Sequence, residues 1–240
     1  MKIKLTHPLI SCICITQNRP AFLLKAIVSF DTQNYPNREL VISYPKHDSE
    51  TKKLINDILE VSDLRVVQIE REGDESLGAA RNHAIANCNG EYICLWDDDD
   101  WYNARRLAHQ YNTMLTTGKF REASILTRVM LFDAKTEQGY LSFYYLWCGS
   151  LLCKKDHILK HPFENTDVAE DASVIKYLES KKLLHYIADS AFLYLYVYHG
   201  GNALNYFHFS YYLKKSERLD QESTDWMHSL LNVKVEVLPS

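Results

Sequence analysis

Short apolar runs and amphipathic stretches alternate along the first part of the chain, and the last of those runs, EYICLW, passes straight into four consecutive aspartates, Asp97 to Asp100. LISCICIT is an apolar run that stops at the polar turn TQNRP, as a strand buried on both faces does. Pro20 suits the first turn of a helix spanning Ala21 to Thr32. RELVIS reads as a second strand, and Asp48 or Ser49 caps a helix carrying Leu54, Ile55, Ile58 and Leu59 on one face. LRVVQIE is a third strand. Ser76 then caps LGAARNHAIANC, which stops at Asn89-Gly90, and EYICLW is the fourth strand. Strand and helix alternating three times predict an α/β fold with a mostly parallel central sheet and crossover helices. Such sheets bind ligands at the carboxyl ends of their strands, where the aspartates fall.

Beyond Trp101 the pattern loosens. A helix is expected from Asn103 to Thr117, strands in ASILTRVMLFD and GYLSFYYLWCGSLLCKK, and a helix from Ala169 to Ser180. LLHYIAD and AFLYLYVYHGGN read as further strands, and an aromatic helix follows from Ala203. This organisation predicts one domain: residues 1–102 form a nucleotide-binding half, 103–218 an acceptor half, and 219–240 a tail with no reading of its own. A chain of 240 residues, 46% hydrophobic and 24% charged, can bury an ordinary core. Its net charge of -4 favours neither nucleic acid nor an anionic membrane. The six cysteines include no CxxC pair, which argues for buried, reduced thiols in a cytoplasmic protein rather than a zinc site. The basic start of MKIKLTHPLISCICIT precedes a run too short for a signal peptide and reads as the approach to the first strand. No uncharged stretch reaches the ~18 apolar residues that span a bilayer.

Adjacent carboxylates raise one another's pKa, so a packed run of them is unfavourable unless a cation relieves it. Mg²⁺ and Mn²⁺ take one or two carboxylates and complete their shell with water and phosphate oxygens. Asp97 and Asp99, alternate residues at a strand end, would face one such ion and its diphosphate while Asp98 points elsewhere. The plain alternative is a solvated acidic turn.

Five segments, in order, resemble the family-2 glycosyltransferases of the GT-A fold: ISCICITQNRP, LGAARNHAI (with Ala84 where the family's pattern has glycine), LWDDDDW, VAEDASV and VYHGGNA. The resemblance covers Leu9 to Asn202. It implies inverting, metal-dependent transfer of a sugar from a nucleoside-diphosphate sugar, most simply a UDP-sugar, to a hydroxyl of a saccharide or lipid-linked acceptor in surface polysaccharide or lipopolysaccharide synthesis. By the same resemblance Asp97 would contact the donor and bind Mn²⁺ or Mg²⁺ with Asp99. His199 would be a further metal or diphosphate ligand, and Asp98 the middle position of the motif. Asp171 would be the general base and Glu170 its neighbour. Thr16, Asn18 and Arg19 would line the nucleoside pocket. Arg81 would bind diphosphate or hold an acidic side chain.

One departure stands out. The family ends its second strand with Asp-Asp-Gly-Ser, whereas this chain has VISYPKHDSET. Tyr44 would stack on the base or Asp48 would reach back to it, and the altered turn leaves room for a non-catalytic nucleotide-sugar or carbohydrate-binding protein. A nucleotidyltransferase is a further alternative, although TQNRP lacks the glycine- and lysine-rich loop that one would show. On the acceptor side, Trp147 and Cys148 would supply contacts. Tyr194, Tyr196 and Tyr198 share one strand face, either as a sugar platform or, preferably, as core. LNYFHFSYYLKK would dock peripherally on the inner face of the cell membrane or pack on its own core or on a second subunit.

Overall fold

The computed structural model describes residues 7–117, 120–202 and 205–232. The basic start of the chain and the helix start expected at Ala203 lie outside the described residues. In chain order, β1 (Ile10–Ile15), α1 (Pro20–Asp31), β2 (Arg38–Pro45), α2 (Ser49–Val61), β3 (Val66–Arg71), α3 (Leu77–Asn87) and β4 (Tyr92–Leu95) give the expected alternation. Then come β5 (Trp101–Tyr102), α4 (Arg106–Thr116), β6 (Ala123–Leu126), β7 (Met130–Asp133), β8 (Gln138–Leu141), β9 (Leu152–Lys154), α5 (Lys155–Lys160) and α6 (Ala172–Ser180). The last elements are β10 (Leu184–Ile187), β11 (Tyr194–Tyr198), α7 (Tyr206–Lys215), β12 (Glu217–Arg218) and α8 (Gln221–Leu231).

One sheet runs β10-β6-β9-β4-β1-β2-β3 and is parallel except for β9, which lies antiparallel to both β4 and β6. Its centre is buried on both sides. Cys12 and Cys14 of β1 share one face with Leu40 and Ile42, while Ile13 sits on the other with Val41 and Ile93. Each such fully buried aliphatic side chain contributes about 1.5–3 kcal/mol relative to exposure. All six cysteines are free, and burial pushes the Cys12 and Cys14 thiols well up, so they act as small apolar residues. Side-chain caps sit where the sequence marks them: Asp48 accepts from the Thr51 amide at 3.1 Å and Ser76 from the Ala79 amide at 3.3 Å.

A second sheet runs β12-β8-β7-β11-β5. The four aspartates are therefore the hinge between sheets: β4 before them belongs to the first and β5 after them to the second. Three expectations shift here. The helix expected from Asn103 starts at Arg106, because the Asn103 side chain instead accepts from the Arg105 amide at 3.0 Å in a turn. The helix expected from Ala169 starts at Ala172, since Ala169 takes a left-handed φ of 58° that no helix accommodates. The C-terminal stretch, mute in sequence, forms α8. Its Met227 is fully buried, and its Thr224 hydroxyl oxygen accepts from the Gly139 amide at 3.2 Å on β8. Tyr194 and Tyr198 are buried against Tyr102 and Phe209, so β11 is core rather than an open sugar platform. Among the described residues no helix is long and apolar enough to cross a membrane.

Candidate active site

The aspartates differ in burial, partners and charge. Asp98 is 1% exposed. Its Oδ2 accepts from the Thr16 hydroxyl at 2.6 Å and its Oδ1 meets Arg19 Nη2 at 2.8 Å. Burial first, and then the charge of Asp99, push it up to about 7, against the pull of Arg19 and Thr16. Thr16 and Asp98, expected at the donor, are thus engaged with each other beneath the surface. Asp100 is also buried and accepts from the Tyr194 hydroxyl at 2.5 Å and the Val197 amide at 2.9 Å. Burial, reinforced by Asp99 and Asp97, raises it well above the carboxylate range.

Asp99 goes the other way. Burial opposes its charge, but His199 and Arg19 outweigh that and hold it below its ordinary value. Its Oδ2 lies 3.0 Å from Arg19 Nη1 and 3.2 Å from His199 Nε2. The tetrad is tolerated because Asp98 and Asp100 are driven toward the neutral acid and the other two are ion-paired, Asp99 with Arg19 and Asp97 with Arg81.

Asp97 points to the opposite side, where α3 presents Arg81. The Arg81 guanidinium is buried. It bonds Asp97 Oδ1 through Nη2 at 2.9 Å and Glu170 Oε1 through Nη1. Of the two roles expected of Arg81, diphosphate binding or holding an acidic side chain, the structure shows it holding two carboxylates, a clamp between the aspartate loop and the segment ahead of α6. Gly78, one turn earlier on α3, lets that segment approach: a Cβ there would stand 1.8 Å from the Glu164 carbonyl oxygen. Asn82 completes the docking, its Nδ2 donating to the Phe163 carbonyl at 2.8 Å and its Oδ1 accepting from the Phe163 amide at 3.0 Å. Asp171 follows Glu170. Burial raises it, while Arg81 and a hydrogen bond from the Cys148 thiol pull it back. Gly149 leaves room for the loop, since a Cβ there would lie 3.2 Å from Asp97 Oδ2.

Arg106 carries no signal in the sequence, where it looks like one helix arginine of a pair. It is fully buried beneath the tetrad, its guanidinium over the rings of Tyr102 at 4.3 Å, Trp96 at 5.2 Å and Tyr194 at 5.3 Å. Nη2 donates to the Leu95 and Gly149 carbonyls, both at 3.0 Å. Two of the stacked rings hold the tetrad directly. The Tyr102 oxygen accepts from the Asp97 amide at 2.8 Å, and the Tyr194 hydroxyl bonds Asp100. A spacing pattern cannot find such a residue, because its partners come from four separate segments.

The chain matches the family model described as glycosyl transferase family 2 over residues 11–146, more than half its length. It belongs to that family. An uncharacterized glycosyltransferase of Haemophilus influenzae is 32% identical over 108 residues, covering 45% of this chain and 43% of its own. A protein of Escherichia coli named UDP-Glc:alpha-D-GlcNAc-diphosphoundecaprenol beta-1,3-glucosyltransferase is 27% identical over 112 residues, 47% of this chain and 43% of its own. The chain thus spans less than half the length of these curated relatives. The structure of a mannosyltransferase from Pyrobaculum calidifontis, in complex with GDP-Man and Mn²⁺, superposes with a TM-score of 0.65 at 15% identity over 95% of this chain and 71% of that one. The fold is GT-A.

In this family 2 glycosyltransferase the altered second-strand turn resolves differently from either expectation. Tyr44 does not stack on a base: it is 0% exposed, with its hydroxyl donating to Gln68 Oε1 at 2.9 Å inside the sheet. Asp48 is buried too, accepting from the Asn18 amide at 2.5 Å while it caps α2. It orders the turn after β1, where Asn18 adopts a φ of 53°, rather than presenting a free carboxylate. Exposed Gln17, Asn18, Lys46 and His47 rim this end, above the buried Arg71 guanidinium that donates to the Thr16 carbonyl at 3.2 Å.

Among the described residues no three His, Cys, Asp or Glu side chains converge as a preformed metal cage. Asp99 and His199 nonetheless offer one oxygen and one nitrogen to a common point, with the Arg19 cation against the same oxygen. Two protein ligands fit an ion that takes its other ligands from diphosphate and water. Asp97 is turned toward Arg81 and does not share that point. Beside His199 a cavity of about 590 Å³ opens between α1 and α8, with Phe22, Trp101, Phe132 and Trp226 in its walls, so the C-terminal helix borders the site.

Proposed function

We propose that this family 2 glycosyltransferase moves a hexose from a uridine-diphosphate sugar to a hydroxyl of a saccharide or lipid-linked saccharide, with inversion at the anomeric carbon. The observation that carries the reading is the Arg81 clamp. It joins Asp97 on the donor side to Glu170, whose neighbour Asp171 is the candidate base, across segments far apart in sequence. The name of the Escherichia coli relative supports the donor and acceptor classes, and the GDP-Man and Mn²⁺ in the Pyrobaculum calidifontis complex support a metal-held diphosphate.

In this mechanism Asp171 accepts the proton of the acceptor hydroxyl as its oxygen forms the new bond to C1. The bond from C1 to the diphosphate oxygen breaks on the opposite face, and UDP leaves. A base of this kind supplies about 10²–10⁴-fold in rate. Glu170, fixed by Arg81, keeps the segment ahead of α6 in register with Asp97. Asp99 and His199 would hold Mn²⁺ or Mg²⁺, which stabilises the charge that grows on the leaving diphosphate. Arg19 neutralises Asp98 and Asp99 until the donor and its ion arrive. A nucleotide-sugar donor fits a position on the cytoplasmic side of the cell, which is part of this reading.

The test is hydrolysis of UDP-glucose and of GDP-mannose with Mn²⁺, with and without chelator. Turnover of one of them, lost in Asp99→Ala and on chelation, is the expected result. Metal-dependent nucleotide binding with no turnover of any donor would favour the carbohydrate-binding alternative. Pyrophosphate release from a sugar phosphate and a nucleoside triphosphate would favour a nucleotidyltransferase.

A further inference from the structure

The loop after β8 carries an aromatic wall toward the candidate base. Tyr145 and Trp147 lie 5.6 Å apart, and each faces Tyr212 of α7, at 5.8 and 5.2 Å. Trp147 is buried and anchors the set, whereas Tyr145 remains 45% exposed and Tyr212 partly so. The wall leads into Cys148, which lies close enough to the Asp171 carboxylate to lower its pKa, and Gly149, where a Cβ would stand 3.2 Å from Asp97 Oδ2. Polar tips line it. The Tyr212 hydroxyl lies 2.8 Å from His208 Nε2, and the buried indole nitrogen of Trp147 has no hydrogen-bond partner.

We propose that Tyr145 and Tyr212 form the acceptor subsite, taking a pyranose ring of a saccharide against their faces so that one hydroxyl reaches Asp171. This rests on the reading of Asp171 as the base. Aromatic rings with hydrogen-bonding edges suit a sugar, which has an apolar face of C–H groups and a rim of hydroxyls. A lipid surface is the other occupant that such a face admits, since Phe207 and Tyr211 are exposed nearby and Lys214 and Lys215 end α7. The saccharide is favoured because the wall, which Phe143 extends at 5.7 Å from Tyr145, runs continuously into Cys148 beside Asp171.

The test uses saturation-transfer NMR with methyl glycosides of glucose, galactose, N-acetylglucosamine and N-acetylgalactosamine, on the full chain saturated with UDP and Mn²⁺. The wild type should bind at least one of them. Tyr145→Ala should weaken that binding about tenfold, the loss expected for one ring contact, and Tyr145→Phe should restore it. UDP binding by calorimetry reports separately whether each variant keeps its donor half. Failure of the wild type to bind UDP would count against the proposed function itself. With UDP bound, silence from every glycoside, or equal binding by Tyr145→Ala, would overturn the subsite. So would sedimentation with phosphatidylglycerol vesicles that Tyr145→Ala abolishes while no glycoside binds.

Discussion

At the scale of single residues, charge is distributed more sparingly than four aspartates suggest. Asp98 and Asp100 are driven toward neutrality by burial, and Asp99 keeps its charge beside Arg19 and His199. Arg81 is costly to lose, because it is buried between two carboxylates. Arg81→Met leaves the Glu170 carboxylate buried without its cation, which destabilises a fold by about 3–5 kcal/mol; a urea titration should show a correspondingly lower midpoint. Asp171 carries its own pH signature. Burial raises its pKa in the folded protein, so the acid limb of log kcat/KM should lie above the ordinary aspartate value of about 3.9. Activity rises with pH through that limb as the base ionises. The Cys148 thiol lowers this pKa, so Cys148→Ala should move the limb to higher pH, and a limb that moves down would count against the contact.

Between elements, the site depends on two close approaches. At Gly78, α3 meets the Glu164 carbonyl with no room for a methyl group, so Gly78→Ala should displace the segment carrying Glu170 and Asp171. Transfer should fall while UDP binding, which the proposed function assigns to the turns after β1 and β4, survives; parallel loss of both would contradict that division. These approaches mark what the sequence leaves unreadable. The alternation from LISCICIT to EYICLW is legible because apolar period and caps are local, and the strand-end position of the aspartates follows from it. That Arg81 holds an acidic side chain is legible as one of two readings, but its partner Glu170 and the cage around Arg106 are not, because each joins segments whose contact exists only once the sheets have formed. Tyr44 misleads for a related reason: a tyrosine at a strand end looks available to a base, and only the neighbouring β3, with Gln68, shows it covered.

For the molecule as a whole, two sheets meet at the aspartate loop, and α8 closes the second one beside the same site. Met227 of α8 is fully buried, so Met227→Ala should cost about 2–5 kcal/mol in a denaturant titration, a loss that a dispensable tail would not show. Arg81 holds together the proposed donor side at Asp97 and the segment that carries the proposed base. The most direct measurement pairs UDP calorimetry in Mn²⁺ with donor turnover for Asp171→Asn. It should bind UDP as the wild type does while turnover falls by about 100-fold or more, and turnover at the wild-type rate would contradict the assignment of Asp171 as the base.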